Sequence, residues 1–409
     1  MPDQARSFDG WPERKLHEIA EIRTGIAKNS SADVADPVDV HYLRVANVQD
    51  GYLDLREMKT LRVNRADLNR YSVRPGDVLM NEGGDLDKLG RGAIWTGRYN
   101  PCVHQNHVFV VRCGSQVLPE FLNAWTAGSA ARRYFLLAGR QTTNLASINK
   151  TSLGNLPVAL PPLAEQEAIA KALGDTDALI ESLEQFIAKK RLIKQGVMQE
   201  LLTGKRRLPG FSRPWIECQL GRIADIRSGG TPSTTVRGNW DGEIPWCTPT
   251  DITALRGGKF LARTVRTITK LGLRSSSAEL IPAKSVVMTS RATIGECAIN
   301  TVPITTNQGF KNLVPIAGTD HEFLFYLMQT QKQNLIALCA GSTFLEIGKR
   351  QLDAFALSIP AEQDEQSAIA DVLSAMDREL EAEKLRLEKA QGLKQAMMSE
   401  LLTGRIRLV

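Results

Sequence analysis

No two of the six cysteines, Cys102, Cys113, Cys218, Cys247, Cys297 and Cys339, stand in a C-x-x-C pair, so the sequence suggests neither a zinc ribbon nor a disulfide framework. These thiols are expected to be reduced and mostly buried. Nowhere do eighteen apolar residues run together, and the opening "MPDQARSFDGWPERK" has no apolar core of signal-peptide length. A cytoplasmic location is expected. The phosphate cradle G-x-x-x-x-G-K-[ST] is also missing, since "RGGKF", "EIGKR" and "LTGKR" each lack the Ser or Thr that would hold magnesium. The composition is neither collagen-like nor that of a disordered tail. With 409 residues and 43% hydrophobic content, the chain can bury the cores of two ordinary domains.

Negative charge is scarce outside two stretches. Residues 164–202 and 361–402 are net acidic, whereas residues 203–360 hold 19 basic against 11 acidic side chains and residues 1–163 hold 20 against 17. The overall charge of +6 therefore understates the basic surface elsewhere, which is compatible with a phosphate-bearing partner.

The dominant signal is an internal repeat. "ELLTGKRRL" at 200–208 returns as "ELLTGRIRL" at 400–408, and "EQEAIAKAL" at 165–173 returns as "EQSAIADVL" at 365–373. Between these ends Ile169, Leu173, Ile180, Ile187, Ile193, Val197 and Leu201 recur at helical spacing, as do Ile369, Leu373, Leu380, Leu387, Leu393, Met397 and Leu401. Each stretch predicts a helix about 58 Å long that must bury its stripe against a partner. Gly204 and Gly404, followed by Lys205 and Arg405, mark the helix ends. A single such helix would favour a homodimeric coiled coil. Two in one chain favour an intramolecular antiparallel pair.

The repeat extends upstream. "WPERKLHEIAEIRTG" at 11–25 is in step with "WIECQLGRIADIRSG" at 215–229, and "SINKTSLGNLPVALP" and "EIGKRQLDAFALSIP" each read as a short helix followed by a strand ending in proline. In between, the units differ, with strand-like runs "HYLRVANV", "GDVLMN" and "HVFVVR" in one and "SVVMTS" and "GFKNLVP" in the other. The expected fold class is α+β: two mixed α/β domains at 1–160 and 209–360, joined by long helices at 161–208 and 361–409 that form an antiparallel coiled coil with pseudo-two-fold symmetry.

This arrangement, with "RVANVQDG", "RPGDVLM", "LPPLAEQEAIAKAL", "TTNQGFKNLVP" and the two "ELLTG" tails, resembles the specificity subunit of type I restriction-modification systems over essentially the whole chain. The resemblance implies two target-recognition domains that each read half of a split, asymmetric double-stranded DNA target. It further implies helices that space the domains and dock two methyltransferase subunits for adenine-N6 methylation, with restriction subunits adding cleavage. The chain itself would be non-catalytic, S-adenosylmethionine, ATP and Mg belonging to the partner subunits. In keeping with this, "LPPL" lacks the Asn or Asp of an adenine methyltransferase's D/N-P-P-Y/F/W loop, and no Gly-rich cofactor turn occurs. Triplets such as Glu57-Met58-Lys59 are frequent by chance and do not make a nuclease. Cys102, His104, His107 and Cys113 invite a zinc reading, but they alternate along strand-like sequence with no loop to gather four ligands.

Base reading favours Arg on guanine and Asn or Gln on adenine, supported by Ser and Thr. The first unit offers Arg44, Asn47, Asn81, Lys88, Arg91, Gln105 and Asn106, with His107 beside them, and the run Arg140, Gln141, Thr142, Thr143, Asn144. The second offers Thr248, Thr250, Ser290, Arg291, Thr293, Asn307, Gln308, Lys311, Ser342 and Thr343. Others of these residues would contact phosphate or serve the loops themselves. A stand-alone DNA-binding regulator or scaffold is the competing expectation, and neighbouring methyltransferase and nuclease genes would separate the two.

Overall fold

A computed structural model of the chain describes residues 10–27, 36–84, 89–141, 146–339 and 346–409, with Arg140 and Gln141 described in the backbone only. Two compact units emerge, one of residues 1–184 and 385–409 and the other of residues 185–384. Neither is a simple half of the sequence. Among the described residues no helix is long and apolar enough to cross a membrane.

The first unit contains a four-stranded antiparallel sheet in the order Ala20–Thr24, Val108–Cys113, Val78–Asn81, Gly92–Ile94. Val78–Asn81 is central and buried throughout, whereas Ala20–Thr24 alternates, burying Ala20 and Ile22. A second sheet runs Lys59–Asn64, Pro37–Leu43, Cys102–His104, the last pair being parallel. The run "HYLRVANV" is only half strand: it leaves the sheet at Leu43 and turns at Val45–Asn47, because the Asn47 side chain accepts the Arg44 backbone N–H at 3.0 Å.

The second unit repeats this plan with unlike residues. Its main sheet runs Ala224–Ser228, Phe310–Pro315, Val286–Thr289, Cys297–Asn300, Phe260–Leu261, and its smaller sheet runs Arg266–Ile268, Trp240–Cys247, Thr305–Thr306. In each unit a short helix, Lys150–Gly154 or Lys349–Asp353, leads to a strand that pairs with the unit's opening strand, Glu13–Lys15 or Ile216–Gln219.

Leu163–Leu201 and Gln363–Leu401 are unbroken helices of 39 residues each. Each unit takes the first part of one and the last part of the other, paired antiparallel. In the first unit Lys394 bonds Asp177 at 2.5 Å and the Thr176 hydroxyl meets the Met397 sulfur at 3.5 Å. In the second Lys194 pairs with Asp377, and Lys190 with Glu379 at 2.6 Å. Asp177–Lys394 and Asp377–Lys194 are the same contact shifted by the repeat. Ile193 and Leu393, expected within the buried stripe, instead stand 49% and 55% exposed.

The repeated words close these pairings. The side chain of buried Glu165 accepts two bonds from Arg407, at 2.5 and 2.6 Å, while Arg407 lies over the Trp11 ring. Buried Glu365 accepts two from Arg207, at 2.5 and 2.7 Å, and Arg207 lies over Trp215. Leu401 and Leu402 enter the core of the first unit, and Leu201 and Leu202 that of the second. Gly204 and Gly404 take left-handed φ of 69° and 70°, turning each tail onto its tryptophan. The glutamine of each "EQ" is equally committed: the Gln166 side chain accepts Leu118 N–H at 2.9 Å, and that of Gln366 accepts Asp320 N–H at 3.0 Å. A hydrophobic helix stripe alone would not demand these residues.

Candidate nucleic-acid interface

At one end of each sheet pair, several chain segments are laced together by backbone hydrogen bonds. In the first unit Gln105 N–H donates to Leu43 O, Asn106 N–H to Ile26 O and Glu82 N–H to His107 O, at 2.9, 3.1 and 3.0 Å. In the second Asn307 N–H donates to Cys247 O, Gly230 N–H to Thr306 O and Ser290 N–H to Gly309 O, at 3.0, 2.8 and 2.8 Å. A glycine makes each lacing possible. A Cβ on Gly25 would lie 2.3 Å from Gln105 O, and one on Gly229 would lie 1.9 Å from Asn307 O.

These bonds align residues that the sequence does not. Arg44 corresponds to Thr248, since each follows the strand that receives the lacing bond and each is capped from three residues on, by Asn47 or by Asp251. Asn81 corresponds to Thr289, the last residue of the central strand, and Gln105 and Asn106 correspond to Asn307 and Gln308. Candidates from both units thus converge on one type of loop cluster carrying different chemistry in each unit.

Their individual surroundings differ. Asn47 is buried and donates to Asp54 O and Glu57 O at 2.8 and 3.2 Å, and buried Asn81 donates to Val48 O at 2.9 Å. Arg44 donates to Glu57 O at 3.0 Å and, with Ala46, Asn47, Asp54, Arg56 and Glu57, lines a cavity of about 350 Å³. Arg91 reaches the Gln49 side chain at 3.5 Å. Gln105 and Asn106 are half-buried, and exposed His107 donates through Nδ1 to Glu82 at 2.8 Å. Thr248 donates its hydroxyl to Asp251 at 2.7 Å, whereas Thr250 and Thr293 are exposed. Ser290 is buried, Arg291 is half-buried, Asn307 accepts Gly309 N–H at 2.9 Å, exposed Gln308 accepts from Thr231, and Lys311 is almost buried. Lys88, Thr142, Thr143, Asn144, Ser342 and Thr343 lie outside the described residues, as do the side chains of Arg140 and Gln141.

Exposed Arg70, Arg74 and Arg98 in the first unit and Arg237, Arg256, Arg263 and Arg274 in the second have no acidic partner among the described residues. The zinc reading meets a different geometry. His104 is buried, donates to Val108 O at 2.6 Å and is pushed down to about 4 by burial, while His107 is engaged with Glu82. Among the described residues no group of three or more His, Cys, Asp or Glu side chains could hold a metal ion.

Residues 9–190 and 212–389 each match the family model of the type I restriction modification DNA specificity domain. The chain belongs to this family. As a specificity subunit it is 25% identical, over 98% of its own length and 94% of the relative's, to the putative type I restriction enzyme MjaX specificity subunit of Methanocaldococcus jannaschii. A 43% share of the chain is 36% identical to 41% of the MjaIX specificity subunit from the same organism. Its fold is that of the type I S subunit from M. genitalium, with a TM-score of 0.58 and 12% identity over 98% of both chains. The HsdS subunit of Thermoanaerobacter tengcongensis gives 0.51 and 18% identity, over 97% of this chain and 98% of that one.

Three residues of this specificity subunit that brace the candidate loops are not apparent from residue type: Thr231 and Glu82, which reach Gln308 and His107 from distant parts of the chain, and Asp251, which caps Thr248 from three residues on. Only one signal pointed to such bracing: the glycines of "RTG" and "RSG" in step at 25 and 229.

Proposed function

We propose that each unit of this specificity subunit reads one half of a bipartite, asymmetric DNA target through its laced loops, and that the long helices set the half-site spacing. The observation that carries this reading is the duplicated loop cluster, a shared scaffold carrying Arg44, Gln105 and Asn106 in one unit and Thr248, Asn307 and Gln308 in the other. Like scaffolds with unlike polar side chains suit a target with two different halves.

The helices also dock two methyltransferase subunits, which methylate adenine at N6 after rotating it out of the duplex. Exposed apolar side chains support docking there: Leu179, Phe186, Leu192 and Ile193 on the first helix, Leu385 and Leu393 on the second. Restriction subunits add ATP-driven cleavage, and S-adenosylmethionine, ATP and Mg are held by those partners in the cytoplasm. The chain itself does no chemistry. Single-molecule sequencing of N6-methyladenine in cells with and without the gene tests the reading. A two-part asymmetric motif whose methylation disappears with the gene is expected, and unchanged methylation would refute it. The purified chain with S-adenosylmethionine and DNA should transfer no methyl group until a methyltransferase subunit is added.

A further inference from the structure

Lys311 occupies a position that the fold reserves for an apolar side chain. It pairs with Ser228 on one side and Met288 on the other, as Phe109 pairs with Thr24 and Met80 in the first unit. Phe109 is 1% exposed and belongs to the first unit's core. Lys311 is 7% exposed, on the same sheet face as Met288 and Leu313 of the second core.

An ammonium group offers three donors, and burying it without acceptors is costly. Lys311 Nζ makes no hydrogen bond among the described residues, and its one carboxylate neighbour, Glu346 Oε1, stands at 3.9 Å, too far to accept one. Burial lowers the lysine's pKa; Glu346 opposes this shift, and the Arg291 guanidinium adds to it. Ser290 lies two residues beyond Met288 and so faces the same side as Lys311. It is wholly buried, and among the described residues its hydroxyl also has no partner. Lys311 and Ser290 thus lie on one sheet face, Lys311 close enough to the Arg291 guanidinium to feel its charge, and among the described residues the one carboxylate near Lys311 is the half-exposed Glu346. The first unit has no equivalent: beside Phe109, the counterpart of Ser290 is Glu82, which His107 engages.

We propose that Lys311, Ser290 and Arg291 form a phosphate-binding site, present only in the second unit, that takes one backbone phosphate of the bound DNA. This rests on the DNA-recognition reading above and adds a contact that positions the duplex without reading sequence. The desolvated ammonium and the unpartnered hydroxyl are the cost of holding the site ready, and the phosphate oxygens supply acceptors for both.

The test uses the full chain in complex with its methyltransferase subunit, comparing wild type with Lys311→Met and Ser290→Ala. Lys311→Met should weaken binding of specific and non-specific duplexes alike by about ten-fold and reduce the salt slope of binding by about 0.9, one phosphate's share. Without DNA, both variants should melt no lower than wild type, Lys311→Met about 2–4 °C higher, because one removes a buried hydroxyl without a partner and the other replaces a largely desolvated ammonium by an apolar side chain. Methylphosphonate scanning of the target should find one linkage whose neutralisation weakens wild type by the same factor and leaves Lys311→Met unaffected. Unchanged affinity and salt slope, or a loss confined to the specific sequence, would overturn the site. Stabilisation by inorganic phosphate with no such linkage would assign the anion to a free source and overturn the DNA contact. If the wild-type complex bound no DNA at all, the DNA-recognition reading itself would fall, and this site with it.

Discussion

Replacing Arg207 with leucine tests the clasp that each helix tail makes. The Glu365 side chain is 1% exposed and accepts two bonds from Arg207, whose own side chain is 26% exposed. Without the guanidinium, the carboxylate keeps one weak donor, Trp215 Nε1 at 3.4 Å. Breaking a buried pair by removing one partner costs roughly 3–5 kcal/mol, and the remaining indole bond argues for the lower end, about 3 kcal/mol. With a urea m value of about 2–3 kcal/mol/M, the unfolding midpoint should fall by about 1 M. Tryptophan fluorescence during urea titration of the full chain measures this, since Trp215 sits on the clasp. Adding Glu365→Met to the leucine variant removes the stranded charge and should restore most of the loss. A single-variant cost below about 1 kcal/mol, or a double variant no more stable than the single, would refute the view that the glutamate is a buried charge held by the tail.

Gly229→Ala should force the segment at Asn307 away from its partner strand, lowering affinity for the second half-site at least ten-fold while leaving the first intact; DNA binding with each half-site scrambled in turn checks this. Burial alone would raise the pKa of Glu322, but Lys259 at 2.7 Å and the Ser374 hydroxyl outweigh it and lower the value. The resulting stability is therefore full above the ordinary carboxylate value near 4.5 and lost as pH falls through the depressed one. Melting temperatures between pH 7 and pH 3 should show this acid loss, and Lys259→Met should flatten it. A fragment of residues 1–208 should dimerise, each copy's Leu201, Leu202 and Arg207 standing in for Leu401, Leu402 and Arg407, and with methyltransferase should direct methylation of a palindrome of the first half-site. A fragment ending at residue 199 should remain monomeric by light scattering.

The long helices were legible because a stripe repeated over 39 residues has few other readings, and the glycine stops were equally plain. Ile193 and Leu393 misled because a stripe drawn at heptad spacing does not say which of its members meets the partner: beside them it is Lys194 and Lys394 that reach Asp377 and Asp177 on the paired helix. The recognition units were legible as strands without a topology. The likeness of the two sheets lies in backbone pairing, which Phe109 and Lys311 fulfil equally well despite opposite chemistry. Candidate loop residues could be chosen by type, yet type does not separate Asn47, engaged with Asp54 and Glu57, from the exposed Gln308. That difference depends on neighbours distant in sequence.

Because Leu401, Leu402 and Arg407 complete the core and clasp of the unit that holds Trp11 and Glu165, that domain leaves the ribosome before the unit of residues 185–384 yet is finished after it. The unit of residues 185–384 is continuous and can close while synthesis proceeds. At about 5–20 residues per second, the first domain waits roughly 10–40 s for the tail that seals it. A product that ends before Leu401 would leave that domain's core open at the place Leu401 and Leu402 fill, and its Glu165 without Arg407.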